Sequence, residues 1–295
     1  MQQADDPALT RALRRLAEER LPVIAGGTDL YPALGDAPPP PVAIDLSRLP
    51  VLRGIRHDGD ATWIGAGTTW QDLIRAPLPP LFSALQAAAR EVGSVQIQSR
   101  ATLGGNLCTA SPAADGVPPL LALDTVVVLA SGEGLRELSL PDFLLGPRCT
   151  ARREDELLVG LRVPHAGAGA VSRFAKLGAR RYLVISIAML AMVLEADADG
   201  AVIDARVAVG ACSPVAVRLP VLEAALSGVD LADAAALDSA IDAALKQGAL
   251  DGLQPIDDVR ASADYRRDAV ATLLRRLVHD TACAAVDAAR QRGAH

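Results

Sequence analysis

The sequence predicts an α+β protein, and three observations point to this class. The length of 295 residues corresponds to about two domains of ordinary size. In the first half, short β-branched or leucine-rich runs are interspersed with helical segments. After residues 164–169, which have the composition of a linker, strand-like runs come first and helices come last. Together these patterns favour an α+β protein whose second half has its strands first and its helices last.

The first half is predicted to combine two helices with a series of short strands. The first helix begins at Pro7, where the missing N–H of proline costs nothing, and extends to about Arg20. The second helix occupies residues 81–92, which have helical apolar spacing and stop at Gly93. Strands are predicted at residues 22–25, 42–46, 51–56, 61–66, 125–130 and 157–163.

The second half is predicted to form a three-stranded sheet followed by a helical bundle. The strand-like runs are residues 171–177, 184–195 and 201–211. Residues 197–200 have the composition of a hairpin turn between the last two runs. Helices are predicted near residues 217–226, 231–247 and 262–291.

Charge and cysteine usage exclude several classes of protein. The formal net charge of −6 argues against nucleic-acid binding, which needs a basic face to neutralise phosphates. The four cysteines are dispersed without a Cys-x-x-Cys pair, which excludes a local zinc or iron–sulfur cradle and favours the cytoplasm. Residues 1–6 contain no apolar signal core, and the longest apolar run, residues 183–194, is shorter than the roughly 20 residues of a membrane span.

The histidines give no sign of a metal site. No histidine has a ligand partner at metal-binding spacing, so no metal is expected at His57, His165, His279 or His295. We therefore expect a cytoplasmic protein without integral membrane contact and without a bound metal.

The first candidate binding motif is Ile-Ala-Gly-Gly-Thr-Asp-Leu, from Ile24 to Leu30, directly after a predicted strand. Adjacent glycines allow close backbone approach to a ligand, and their successive N–H groups can form a concave anion site. Thr28 adds a hydroxyl donor. The alternative is a turn that ends the strand, with Thr28 or Asp29 capping a helix.

The second motif, residues 101–115, contains paired glycines, hydroxyls, an amide and one carboxylate. The N–H groups of Gly104, Gly105 and Asn106 can donate to a pyrophosphate, and Asp115 can accept from ribose or ribityl hydroxyls. The alternative is a long polar loop with local Asn and Ser turns. The motif has no Walker lysine and no Gly-x-Gly-x-x-Gly pattern, which excludes a P-loop and argues against a Rossmann site.

The two motifs together closely resemble those of the flavin-binding subunits of molybdenum hydroxylases. This family includes the medium subunit of carbon monoxide dehydrogenase and the xanthine dehydrogenase flavoprotein. The resemblance extends over the whole chain through residues 92–97, 142–150 with 156–158, 174–176 with Arg180, and 258–266. It implies a two-part FAD-binding domain of the vanillyl-alcohol-oxidase-like type, with parts at residues 1–57 and 58–165. A smaller C-terminal domain is expected at residues 170–295.

The resemblance also implies how the cofactor FAD is held. The two glycine motifs would hold the pyrophosphate from two sides, and Thr109, Ser111 and Asp115 would reach ribityl, ribose or flavin polar atoms. Leu158 would pack on the isoalloxazine face, and Lys176 would lie near its polar edge. The implied cofactor-binding residues are Ile24, Ala25, Gly26, Gly27, Thr28, Asp29, Leu30, Val92, Gly93, Ile97, Ala101, Thr102, Gly104, Gly105, Asn106, Thr109, Ser111, Asp115, Leu158 and Lys176.

The implied function is that of an oxidoreductase subunit without catalytic side chains, because a flavin carries the chemistry itself. Electrons would come from a molybdopterin-containing large subunit through the [2Fe-2S] clusters of a small iron–sulfur subunit. They would leave to NAD, a quinone, oxygen or another acceptor, within a hetero-oligomer. The alternatives are a stand-alone FAD-dependent oxidase or dehydrogenase, and a scaffold that binds no flavin. Arg148 either meets an anionic acceptor such as NAD or pairs with an acidic neighbour.

Overall fold

The computed structural model describes residues 6–167 and 169–293, which form two compact units. The first unit comprises the described parts of Met1–Ala76, Val92–Ser111 and Asp124–His165. The second comprises those of Pro77–Glu91, Pro112–Leu123 and Ala166–His295. Predictions made for residues 1–5, for residue 168 and for His295 lie outside the described residues. The predicted division at residues 57 and 165 stays a prediction.

The described residues form short strands in both halves and one long helix near the C-terminus. The strands are β1 (Val23–Ile24), β2 (Ile44–Asp45), β3 (Ile55–Asp58), β4 (Ala61–Gly65), β5 (Val126–Ser131), β6 (Gly134–Ser139), β7 (Leu144–Gly146), β8 (Cys149–Thr150), β9 (Leu157–Pro164), β10 (Val171–Leu177), β11 (Ala188–Ala196), β12 (Val202–Gly210) and β13 (Val217–Arg218). The helices are α1 (Pro7–Glu19), α2 (Leu30–Leu34), α3 (Trp70–Arg75), α4 (Ser83–Glu91), α5 (Val95–Gln98), α6 (Leu103–Thr109), α7 (Val117–Ala122), α8 (Leu140–Phe143), α9 (Pro220–Leu226), α10 (Ala234–Lys246) and α11 (Ala263–Gly293).

The first unit is built on a five-stranded antiparallel sheet with the order β3-β4-β9-β5-β6, in which β9 is central. Asp6 caps the predicted first helix by accepting hydrogen bonds from the N–H groups of Ala8 and Leu9. The helix packs against β5 and buries one apolar stripe at helical spacing, namely Leu9, Ala12, Leu13 and Leu16. β1 and β2 form a separate parallel pair, and the first glycine motif begins in β1.

The second unit is built on a four-stranded antiparallel sheet with the order β10-β11-β12-β13. Its first three strands confirm the three predicted after the linker, and the predicted turn joins β11 to β12. The fourth strand lies where the sequence predicted the start of a helix, and the helix begins later, at Pro220. The reason is that a residue before proline is disfavoured in the helical region, and Leu219 has φ −113° and ψ 71°.

Two segments from the N-terminal half belong to this second unit. They supply α4, which packs against β10, and α7, which packs against β11 and β12. The N–H group of Ala84 on α4 donates a 2.8 Å hydrogen bond to the Ser172 hydroxyl on β10. Helices α9 and α11 pack against the same sheet and share its apolar core, which includes Leu190, Met192, Val207, Leu222, Leu226, Val270 and Leu274.

Two further predicted strands are shorter than expected. Within the predicted strand at residues 51–56, Pro50–Leu52 forms a 3₁₀ helix and β3 begins only at Ile55. Gly54 has φ +110°, which breaks the extended run. The run predicted from residue 184 becomes a strand only at Ala188, and Leu183, just before the run, has φ +52°. No helix in the described part of the chain is long and apolar enough to cross a lipid bilayer.

Asp258 organises the loop before α11. Its carboxylate accepts hydrogen bonds from the N–H groups of Arg260 and Ala261 and from the guanidinium of Arg266. Arg266 is buried and also donates to the carbonyl oxygens of Ile187 and Ala211. Desolvation opposes ionisation, but these hydrogen bonds and the Arg266 charge outweigh it and lower the Asp258 pKa from 3.8 to about 2.

Asp258→Asn should therefore lower the free energy of unfolding by about 2 kcal/mol at pH 7, because it weakens charge-assisted bonds to a buried arginine. A carboxyl whose folded pKa is depressed stabilises the fold above its unfolded pKa, and this contribution is lost as pH falls through the folded pKa. The parent should lose stability between about pH 4 and pH 2 more steeply than the variant, as measured by urea denaturation at each pH. If the parent and the variant lost stability equally steeply with falling pH, the lowered pKa of Asp258 would be contradicted.

Candidate functional site

The first glycine motif leaves β1 and runs into α2, and both of its glycines are required by the backbone. A Cβ atom on Gly26 would lie 2.0 Å from the carbonyl oxygen of Arg100, so the chain before the second motif passes directly against it. Gly27 has φ +73°, which side chains rarely tolerate, and the Tyr31 ring covers the place of its missing Cβ. The motif therefore depends on two glycines for two different reasons.

The same motif presents free backbone donors. The N–H groups of Gly26, Gly27, Thr28 and Asp29 donate to no other described residue. Its residues are partly exposed, and Asp29 is exposed. Successive unpaired N–H groups in a partly exposed turn match the anion site that the sequence predicted.

The second motif differs from the polar loop that was its alternative interpretation, because residues 103–109 form helix α6. Thr102 caps this helix, and its hydroxyl accepts a 3.0 Å hydrogen bond from the N–H of Gly105. The N–H groups of Gly104 and Asn106 donate to the carbonyl oxygens of Ala66 and Thr102, at 2.9 and 3.0 Å. These three N–H groups are therefore engaged within the chain, which differs from the pyrophosphate-donor role predicted for them.

The fold nevertheless brings the two motifs side by side. A Cβ atom on Gly105 would lie 3.0 Å from the Thr102 hydroxyl oxygen and 3.9 Å from the Cβ of Ala25. Ala101, which leads into α6, is buried. The amide oxygen of Asn106 is buried and accepts no hydrogen bond from the described residues. A glycine-lined surface beside an unsatisfied buried acceptor and free N–H donors fits a ligand with both anionic and hydroxyl groups, as FAD has.

The other predicted residues of the first unit fall into two groups. Gly93 has φ +51°, and the Ile97 side chain lies 2.9 Å from the position of its missing Cβ, next to half-buried Val92. Thr109 and Ser111 flank Ala110, which ends α6 with φ 46°. Leu158 differs from these partly exposed residues because it is buried in the central strand β9. Its contact with a flavin stays a prediction.

Asp115 and Lys176 belong to the second unit and form a buried ion pair. The Nζ of Lys176 lies 2.6 Å from one carboxylate oxygen of Asp115, and the Ser186 hydroxyl donates to the other at 2.8 Å. The two charged side chains are 6% and 10% exposed. Burial raises the pKa of the Asp115 carboxyl, and the Lys176 charge and the hydrogen bonds from Lys176 and Ser186 oppose this shift.

Of the two alternatives for Arg148, the structure shows the pairing with an acidic neighbour, and contact with an anionic acceptor stays a prediction. Its guanidinium donates to the Asp29 carboxylate of the first glycine motif at 3.1 and 3.5 Å. The sequence did not identify Asp29 as the partner of Arg148, nor Ser186 as a partner of Asp115, since each pair is far apart in the chain. Within residues 6–167 and 169–293, no three His, Cys, Asp or Glu side chains are grouped to hold a metal ion.

Comparison with known proteins identifies the family to which this fold belongs. The family model described as "FAD binding domain in molybdopterin dehydrogenase" matches residues 6–166, and the "CO dehydrogenase flavoprotein C-terminal domain" matches residues 173–281. The chain is thus an FAD-binding flavoprotein component of an oxidoreductase. It belongs to the family of FAD-binding medium subunits of carbon monoxide dehydrogenase and related molybdenum hydroxylases, which confirms the resemblance and the predicted fold class.

Individual relatives extend this finding along the chain. The nicotine 6-hydroxylase medium subunit of Paenarthrobacter nicotinovorans is 32% identical over 88% of this chain and 89% of its own length. The nicotinate dehydrogenase FAD-subunit of Eubacterium barkeri is 38% identical over 60% of this chain, a match that spans 62% of that protein. A solved carbon monoxide dehydrogenase from Hydrogenophaga pseudoflava superimposes with a TM-score of 0.81 and 30% identity, covering 93% of this chain and 94% of that chain.

Proposed function

We propose that this chain is the electron-transfer subunit of a multi-subunit molybdenum hydroxylase, receiving electrons from [2Fe-2S] clusters of one partner chain. A second partner would be the molybdopterin-containing large subunit, and an external acceptor would take the electrons from FAD. The proposal rests on the family membership and on relatives whose names describe them as medium or FAD subunits. The cytoplasmic location predicted from the dispersed cysteines stays a prediction.

The observation that carries the proposal is the first glycine motif, within the region matched by the FAD-binding family model. We infer that its four free N–H groups, from Gly26 to Asp29, donate hydrogen bonds to the pyrophosphate of FAD. We further infer hydrogen bonds to the sugar or ribityl hydroxyls of FAD. They would come from the amide of Asn106, beside this motif, and from the hydroxyls of Thr109 and Ser111, at the end of α6. When bound, FAD supplies the exchange between one-electron and two-electron carriers.

The second motif has a supporting role in this proposal. Because the N–H groups of Gly104 and Gly105 are engaged, Gly105 would act by leaving room for the cofactor beside Ala25. Gly104 instead allows the close approach of Ala66, whose carbonyl oxygen would lie 2.8 Å from an added Cβ. The chain's own side chains bind and orient FAD, and none is assigned a covalent step. The lining roles of Val92, Gly93 and Ile97 and the contacts of Asp115, Leu158 and Lys176 stay predictions.

The test is to purify the tagged chain twice, alone and with its co-expressed partner chains, and to measure flavin, iron and molybdenum in each. We expect stoichiometric, acid-releasable FAD in both samples, and iron and molybdenum only in the complex. The flavin of the isolated chain should be reduced by dithionite. Only the complex should reduce its flavin with the organic substrate of the complex, because the clusters lie on another chain.

Three outcomes would contradict the proposal. Flavin that stays with the protein pellet after acid precipitation would contradict non-covalent binding. Oxidation of a small organic substrate by the purified chain alone would favour the alternative of a stand-alone FAD-dependent oxidase or dehydrogenase. A chain that purifies without flavin would favour the scaffold alternative.

A further inference from the structure

Arg148 lies at the turn of the β7–β8 hairpin in an unusual backbone conformation. Its φ is 56°, in the left-handed region that residues other than glycine and asparagine seldom adopt. Glycine would adopt this conformation without strain, yet position 148 carries an arginine. Because this conformation costs free energy for a non-glycine residue, we expect the Arg148 side chain to have a role that offsets the cost.

The residue is attached to both glycine motifs. Its N–H group donates a 2.9 Å hydrogen bond to the carbonyl oxygen of Ala110, which ends helix α6 of the second motif. Its guanidinium reaches the Asp29 carboxylate of the first motif at 3.1 and 3.5 Å. We call Arg148, Asp29 and Ala110 the clasp. All three residues belong to the first unit.

A contribution to the stability of the fold does not explain why Arg148 and Asp29 are paired. The side chains of Arg148 and Asp29 are 66% and 49% exposed, and an ion pair this exposed contributes little to the free energy of unfolding. Its position is more informative, because Asp29 directly follows the N–H groups of Gly26, Gly27 and Thr28. A carboxylate beside a pyrophosphate site repels the ligand unless a cation neutralises it.

We propose that Arg148 is a positioning residue for the cofactor, which neutralises Asp29 and holds it away from the pyrophosphate. The inference rests on the proposed function, in which the first motif accepts the pyrophosphate of FAD. The β7–β8 hairpin would thus supply the positive charge that lets the first motif, which contains Asp29, bind an anionic ligand. The carboxylate of Asp29 then acts as the anchor of Arg148 and does not contact the phosphate, while the N–H group of Asp29 remains free to donate to it.

The test measures FAD and riboflavin binding to the full apo-chain by flavin fluorescence, at low and high salt. Arg148→Gln should weaken FAD binding roughly ten-fold at low salt, because one uncompensated charge then faces the pyrophosphate. The difference from the parent should shrink at high salt, since exposed charges are screened. Riboflavin lacks the pyrophosphate, so its affinity should not change. Adding Asp29→Asn to Arg148→Gln should restore most of the FAD affinity.

Arg20→Gln is the matched control. Arg20 also has a positive φ, 49°, and an exposed ion pair, with Glu154, but it ends helix α1 and forms no described hydrogen bond or ion pair with either motif. It should leave FAD affinity unchanged. Unaltered FAD affinity in Arg148→Gln, or failure of Asp29→Asn to restore it, would overturn the clasp while leaving the proposed function standing. A parent chain that takes up no FAD would overturn the proposed function and the clasp together.

Discussion

Gly26→Ala is expected to lower the affinity of the chain for FAD by about 100-fold, if overlap with fixed backbone costs about 3 kcal/mol. The new Cβ would lie 2.0 Å from the carbonyl oxygen of Arg100 and 2.6 Å from its carbonyl carbon. Both are main-chain atoms, so no side chain can rotate away. The first motif must then move away from the chain that leads into the second motif. Its N–H groups would lose the arrangement in which they are proposed to donate to the pyrophosphate.

The experiment compares FAD dissociation constants, measured by fluorescence titration of apo-protein, with far-ultraviolet circular dichroism as a check on folding. Gly132→Ala is the matched control, since Gly132 lies in the same unit with ordinary φ and nothing within 4 Å of its missing Cβ. It should bind FAD as the parent does. Parent-like affinity in folded Gly26→Ala would show that the close contact with Arg100 is not needed for the cofactor.

The parts of the fold that sequence predicted are those governed by local pattern. The sheet of the second unit follows from consecutive strands, because β11 and β12 pair in antiparallel fashion across a short turn at residues 197–200. Helix α1 follows from Pro7 and an apolar stripe. The assignment of α4 and α7 to the second unit could not be predicted in this way. Their packing partners, β10 to β12, lie far along the chain, and no local signal marks them.

The same distinction applies to the site. The first motif was predictable because its glycines, threonine and aspartate are contiguous and their chemistry is local. Helix α6 had a usable signal, Thr102 followed by Leu103 and Leu107 at helical spacing, but the polar residues between them favoured a loop. The bond from Gly104 to Ala66 and the pairing of Arg148 with Asp29 are tertiary contacts. Only the fold reveals that one set of N–H groups is engaged and the other is free.

Asp115→Ala is expected to lower the free energy of unfolding by about 3 to 5 kcal/mol, the cost of leaving a buried charge without its partner. Lys176 is only 6% exposed, and its Nζ lies 2.6 Å from the Asp115 carboxylate. Ser186→Ala is the matched control in the same cluster. It removes one 2.8 Å hydrogen bond without stranding a charge, so it should cost only about 1 kcal/mol. Urea denaturation, without bound FAD, measures the free energy of unfolding of the parent and of both variants.

Replacing both members of the pair separates its contribution to stability from a role in cofactor binding. Asp115→Leu combined with Lys176→Met removes both charges, and should recover most of the stability lost in Asp115→Ala, because apolar groups of similar size replace a desolvated ion pair at little cost. If this double variant folds like the parent but binds FAD more weakly, the pair serves the cofactor, as predicted for Asp115 and Lys176. Parent-like stability of Asp115→Ala itself would contradict the buried pair, because an unpaired Lys176 charge at 6% exposure cannot be accommodated without cost.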